Sequence, residues 1–199
     1  MEEIPGFSIL QNSIQALVSP SQEEWSLALP VLKKQTYPKN ASLVKAGENS
    51  GYMYFILEGI TRHFYAETGK GNSATVWFSY QGDWVNDAYG FSTQQPALTS
   101  IIAVTEVEAF YLSRADQEML FASSPIWERL GRLGAEGYLV KQMLHTWSLY
   151  FRSAKERFHA LLKERPELFK HCPLIHIASF LNITPETLSR LRSEMKDGM

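Results

Sequence analysis

The 199-residue chain has one cysteine, Cys172, which excludes a disulfide within the chain and any metal or iron–sulfur centre built from cysteines alone. Cys172 reads as a small residue in a loop or at a helix edge. Uninterrupted apolar runs are short as well, and none approaches the roughly 18 residues that a membrane-spanning helix needs. The opening MEEIPGFSIL is acidic where a secretory signal is basic, and it lacks an apolar core. A cytoplasmic protein with no membrane partner is therefore expected. Histidines number five, and only His63 falls in the strand-rich region. One imidazole cannot make a site of convergent ligands, so His63 reads as a surface strand residue. A nucleophile–base motif, a phosphate-cradling glycine loop and metal-ligand spacing are all missing, and Glu106 and Glu108 lie at the spacing of a solvated strand. No catalytic or metal-binding residue is assigned, and an enzyme is not expected.

Charge is ordinary in amount, 20% of residues, but unevenly placed. The net value of −2 hides 10 Lys/Arg against 15 Asp/Glu in residues 1–150, and 9 against 6 in residues 151–199. A positive tail on an acidic body fits a module that meets a polyanion. Within that tail, LIHIASFLNITPETLSRLRS (residues 174–193) reads as two short helices joined by a tight turn. Ile177, Ala178 and Leu181 recur at helical spacing on the first, Leu188 and Leu191 on the second. Asn182 tolerates the left-handed conformation that ends a helix, and Thr184-Pro185 is a start signal with a capping hydroxyl. Glu186 adds a negative charge at the positive end of the helix dipole. The pattern is a helix-turn-helix, whose second helix enters the DNA major groove in known complexes. With the leucines turned inward, Glu186, Thr187, Ser189, Arg190 and Arg192 face outward, and Thr184 sits at the start. The alternative is a sensing or scaffold module whose helix-turn-helix meets protein instead.

Upstream, Ser21 and Glu24 form a capping box for a helix running towards Lys34. From Tyr37 to Ser113, runs rich in Val, Ile, Tyr, Phe, Trp and Thr alternate with glycines, the texture of a β-roll or barrel. Tyr52–Leu57 reads as a fully buried strand, followed by strands at Ile60–Ala66, Ala74–Tyr80, Ser100–Thr105 and Glu108–Leu112, with a turn at Thr68–Gly71. Ser113 with Asp116 opens a short helix through Phe121. Pro125 opens a long one, in which Ile126, Leu130, Leu133, Gly137, Val140, Leu144, Trp147 and Phe151 follow in steps of 4 and 3. That is a coiled-coil seam, so Ile126–Phe151 reads as a helix that pairs two copies of the chain. Ala154–Glu164 forms a further helix, stopped at Arg165-Pro166.

This order resembles the Crp/Fnr superfamily of bacterial transcription regulators. The most similar pieces are LVKAGENSGYMYFILEGITRHFY, FSYQGDW, AVTEVEAFYLSRADQEML and IASFLNITPETLSRLRSE. The resemblance implies an α+β chain in three parts. Residues 1–124 are an N-terminal β-roll (a double-stranded β-helix of the cyclic-nucleotide-binding kind), 125–151 a dimerisation helix, and 152–199 an all-α helix-turn-helix domain lacking a C-terminal wing. It implies a homodimer on double-stranded DNA, with RNA polymerase and a small-molecule effector as further partners. Glu186 and Arg190 match the family's base-reading pair, whereas Pro185 replaces the family's preceding Arg, so the operator should differ. Arg suits the O6 and N7 acceptors of guanine, and Glu a cytosine amino group.

The effector pocket departs from the family pattern. Val85-Asn86-Asp87 falls where cyclic-nucleotide binders resemble Phe-Gly-Glu, and Ala97-Leu98-Thr99 where they carry Arg-Ser/Thr-Ala. A buried phosphate without its Arg is strongly disfavoured, so cyclic AMP is not the expected ligand and the effector is unassigned. Asp87, Tyr89, Thr99 and Ser100 are the nearest pocket candidates, with Gln142 and Met143 from the long helix and Arg62 from a neighbouring strand. Otherwise these residues fill or rim the roll.

Overall fold

The computed structural model describes residues 5–66 and 73–197. Two helices, α1 (Phe7–Gln15) and α2 (Gln22–Ala28), precede the strands. Ser21 and Glu24 form the expected capping box, Ser21 Oγ accepting from the Glu24 N–H at 3.2 Å and Glu24 Oε2 from the Ser21 N–H at 2.6 Å. The helix does not run towards Lys34, however. It ends at Ala28, passes through a 3₁₀ turn containing Pro30, and gives way to β1 (Lys33–Tyr37). Proline removes a helical donor and clashes with the preceding turn. The four exposed polar residues that follow make an edge strand, where charge discourages further pairing. Lys34 reaches Glu108 on the neighbouring strand at 2.8 Å.

Seven more strands complete the roll: β2 (Ser42–Val44), β3 (Tyr52–Glu58), β4 (Thr61–Ala66), β5 (Ser73–Ser79), β6 (Trp84–Val85), β7 (Ser100–Ala103) and β8 (Val107–Ser113). They form two four-stranded antiparallel sheets in the orders β1-β8-β3-β6 and β2-β7-β4-β5. Between them lies a core that includes Tyr54, Ile56, Ile101, Ala103, Val107 and Ala109. The apolar run of β3 is buried only at Tyr54–Leu57, since Tyr52 opens to solvent at the strand end. Gly59, at φ +96°, makes the turn into β4; a Cβ there would lie 2.2 Å from the Glu106 carbonyl oxygen, so only glycine fits. The turn expected at Thr68–Gly71 lies outside the described residues.

A short helix, α3 (Ala88–Thr93), interrupts the roll, and α4 (Arg114–Ser123) follows it behind the Ser113–Asp116 capping box. Then comes α5 (Pro125–Phe151), over the expected span. Its seam divides in two. Ile126, Leu130 and Leu133 pack, beside buried Trp127, on the chain's own Leu10, Trp25 and Leu120, so the first half of the seam does not await a partner. Gly131 permits this approach, because a Cβ there would meet the Phe121 ring at 2.4 Å. Beyond Gly137 one side of the helix still faces the roll through Tyr138, Gln142 and His145, while Val140, Leu144, Trp147 and Phe151 stand 51–83% exposed.

The C-terminal unit comprises α6 (Ala154–Glu164), α7 (Leu168–His171), α8 (Leu174–Phe180) and α9 (Pro185–Asp197). Phe158, Leu168, Ile177, Ala178 and Leu188 are fully buried together, and Ile60, Phe78 and Val104 of the roll join the same cluster. Each buried Phe, Leu or Ile among them contributes about 1.5–3 kcal/mol of burial. Among the described residues no helix is long and apolar enough to cross a membrane.

Candidate functional site

Two places carry chemistry, the outer face of α9 and a cavity beneath α5. The turn between α8 and α9 is built by the residues that signal it. Asn182 stands at φ +52°, and the Ile183 N–H reaches back to the Ala178 carbonyl at 3.0 Å, closing α8 with a left-handed cap. Thr184 Oγ1 then accepts from the Thr187 N–H at 3.2 Å and opens α9, with Pro185 in its first turn. Leu188 and Leu191 are buried against α8 and α6. This leaves Thr184, Glu186, Ser189 and Arg190 exposed and Thr187 and Arg192 half-buried along one side. The Glu186 carboxyl is held below its ordinary range by its own backbone N–H and by the Thr184 hydroxyl. Arg190 rests on Glu194 at 2.6 Å, an exposed pair that a stronger acceptor can displace at little cost.

The cavity measures about 230 Å³. His63 and Tyr65 of β4 and Val76 and Trp77 of β5 form one wall. Residues 86–89, Leu98 and Thr99 form the floor, and Tyr138 and Gln142 of α5 close the top. Asp87 caps α3, and its carboxylate accepts from the Gly90 N–H (2.6 Å), the Leu98 N–H (3.3 Å), the Thr99 N–H (2.9 Å) and the Thr99 hydroxyl (2.6 Å). Burial alone pushes this carboxyl up, but the Thr99, Gly90 and Leu98 donors outweigh it and leave Asp87 more acidic than usual. His63 is not the surface residue its position suggested. It is buried, its Nε2 lies 3.1 Å from Ser79 Oγ, and burial pushes its pKa down to about 4. Among the described residues no three His, Cys, Asp or Glu side chains are placed to hold a metal ion.

Residues 34–124 match the model of the cyclic nucleotide-binding domain family. The roll belongs to that family. Over most of its length the chain also shares its fold with Crp/Fnr-type regulators. It is similar to FixK2 from Bradyrhizobium japonicum, with a TM-score of 0.72 and 19% identity, covering 84% of this chain and 86% of that one. The c-di-GMP-responsive global regulator CLP of Xanthomonas campestris gives a TM-score of 0.68 at 15% identity, over 89% and 93% of the two chains. The catabolite activator protein of Thermus thermophilus gives 0.54 at 22%, over 89% and 84%. At these identities the likeness is one of fold. No curated protein matches the sequence.

Within this cyclic nucleotide-binding domain the structure brings Asp87, Tyr89, Thr99 and Gln142 to the cavity, and leaves three expected residues elsewhere. Arg62 points from β4 towards the C-terminal unit rather than inward, because neighbouring side chains on a strand face opposite ways and His63 takes the inner side. Its guanidinium donates to Thr75 Oγ1 at 2.8 Å and Ser73 Oγ at 2.6 Å, and lies 3.5 Å from His176 Nε2. Ser100 Oγ is taken by the Ala46 N–H at 3.0 Å. Met143 follows Gln142 on α5 and turns off the cavity into solvent, as successive helix positions do. Tyr138 lies one turn before Gln142, so helical spacing already placed it on the same face. Trp77 is opposite His63 across the β4–β5 ladder, a pairing that only the hairpin register reveals.

Proposed function

We propose that the chain is a homodimeric, sequence-specific DNA-binding transcription regulator of the Crp/Fnr type, whose roll senses a small molecule other than cyclic AMP. The division into a roll (1–124), a dimerisation helix (125–151) and a helix-turn-helix domain (152–199) belongs to the same proposal. The supporting observation is the asymmetry of the C-terminal unit: α8 is packed against β5, while the Glu186–Ser189–Arg190 side of α9 is left open. An exposed helix bearing Arg and Glu beside short hydroxyl residues matches what guanine and cytosine edges ask for in a major groove. Thr184, Thr187 and Arg192 flank that face and suit phosphates.

The second copy belongs on the far half of α5. Val140, Leu144, Trp147 and Phe151 keep coiled-coil spacing, and a row of large apolar side chains exposed to water is the usual mark of an interface. A dimer would present two recognition helices about one duplex turn apart. Cyclic AMP is disfavoured because, among the described residues, the cavity lining contains no Lys or Arg, and Asp87 already has its hydrogen-bond donors. Selection of bound fragments from genomic DNA, followed by mobility-shift assays at several salt concentrations, tests the proposal. Retardation of particular fragments by a dimer is expected; no retarded duplex at low salt would sink it.

A further inference from the structure

We infer that the cavity takes a small uncharged molecule with a flat apolar face, and that Trp77 passes its presence to the helix-turn-helix. This rests on the proposal that the cavity is the effector site. Charge decides the ligand class. Among the described residues the ionisable groups on the lining, tyrosines apart, are Asp87 and His63. An anion entering there would find no counter-charge and one carboxylate of its own sign, and its desolvation would go uncompensated. A cation fares little better, because a carboxylate offers about four lone-pair positions and Asp87 already accepts four hydrogen bonds. What the lining does offer is flat apolar surface from Tyr65, Trp77, Tyr89 and Tyr138. At about 230 Å³ the space is smaller than the roughly 300 Å³ at which pockets for drug-sized molecules begin.

Trp77 is shared between this cavity and the docked C-terminal unit. Its indole meets Phe180, the last residue of α8, edge-on at 6.1 Å between centroids, and His145 of α5 edge-on at 5.5 Å. Phe180 and His145 are themselves stacked at 4.5 Å. Next to Phe180, Ser179 Oγ accepts the N–H of Thr75, two residues before Trp77 on β5. One side chain therefore separates the cavity from one of the contacts that hold α8 on the roll, beside Phe78 against Phe180 at 5.3 Å. A molecule pressed against the indole shifts its edge, the Phe180–His145 stack loses that neighbour and is left with Phe78 on the roll side, and α8 loosens from β5.

Hydrogen exchange by mass spectrometry on the full chain, without DNA, tests this with millimolar indole as the uncharged probe and cyclic AMP as the anionic one. Indole is expected to slow exchange around Trp77 and Tyr138–Gln142 and to speed it in Leu174–Phe180 by about tenfold, within the ordinary range of coupling between sites. Cyclic AMP is expected to do neither. Phe180→Leu keeps apolar bulk but removes the ring; it should speed exchange in α8 without a probe and abolish the further response there, while the cavity is still protected. Should that variant not fold, Trp77→Phe, with its shorter ring, takes its place. The inference is overturned by protection of the cavity with α8 unchanged, by equal effects of cyclic AMP, by no protection from indole, or by a variant that keeps the full response. A chain that shows the expected pattern yet retards no duplex would sink the regulatory reading and leave this one standing.

Discussion

The resemblance to cyclic-nucleotide binders puts Asp87 where a ribose-holding carboxylate is expected, yet its hydrogen bonds make it a structural cap, and Asp87→Ala separates the two roles. The substitution removes the N-cap of α3, a loss of about 1 kcal/mol. It also strands the N–H groups of Leu98 and Thr99, at about 1 kcal/mol each at the low end of the range, because the adjoining cavity admits water. About 3 kcal/mol in total should lower the melting temperature of a chain this size by roughly 6–12 °C, read by circular dichroism at neutral pH. Asp87→Asn keeps one oxygen for Gly90 and Leu98 and should fall between the two. The pH dependence has a fixed sign: the folded carboxyl is more acidic than its ordinary value of 3.8, so its contribution is complete above that pH and is lost as pH falls below it. An Asp87→Ala chain melting within about 2 °C of the parent would refute the capping argument and return Asp87 to the ligand.

Arg190→Ala should remove about 1–3 kcal/mol of discrimination between operator and random duplex, leaving weak salt-dependent binding; equal loss on both duplexes in a competition assay would count against base contact. Leu144→Asp places a charge in the exposed half of the α5 seam and should yield monomers by sedimentation, where the parent should sediment as a dimer. Gly59→Ala should destabilise by more than about 2 kcal/mol, combining left-handed strain with a backbone clash, while Gly134→Ala, with open space around it in α5, should stabilise by about 1 kcal/mol in denaturant titrations. His176, held below its usual pKa of 6.5 by burial and by Arg62, and His145, held below it by burial and by Arg157, both favour the docked state when neutral. Docking of α8 should accordingly be complete above pH 6.5 and weaken as pH falls below it, seen as faster exchange in Leu174–Phe180 beyond the intrinsic pH effect.

Local signals carried their elements well. Ser21 with Glu24, Ser113 with Asp116, and Thr184-Pro185 each start a helix where hydroxyl and proline chemistry says one should start, since a cap involves residues only three or four apart. Strand β1 escaped notice for the opposite reason. Lys33-Lys34-Gln35-Thr36 has no apolar alternation, and only its antiparallel pairing with β8, some 75 residues on, makes it a strand. The burial of His63 depends likewise on Ser79 across the ladder, and the inward or outward sense of Arg62 on a register that shifts between His63 and Phe64. Heptad spacing located α5 but could not tell an intramolecular neighbour from a second copy, because Leu130 and Val140 look alike in sequence while one meets Trp25's cluster and the other meets water. Trp77 gathers its meaning from β4, α5 and α8 at once, a conjunction no linear window contains.

Cys172 gives the molecule its own reporter. The thiol sits 6% exposed in the cluster that joins Leu168 and Ile177 to the roll, and burial pushes its pKa up to about 11. Near neutral pH it has almost no thiolate to offer, so an alkylating reagent must wait for that cluster to part. Because the chain has no second cysteine, the rate at which a single label is taken up counts those openings directly, with no engineered dye and no foreign mutation.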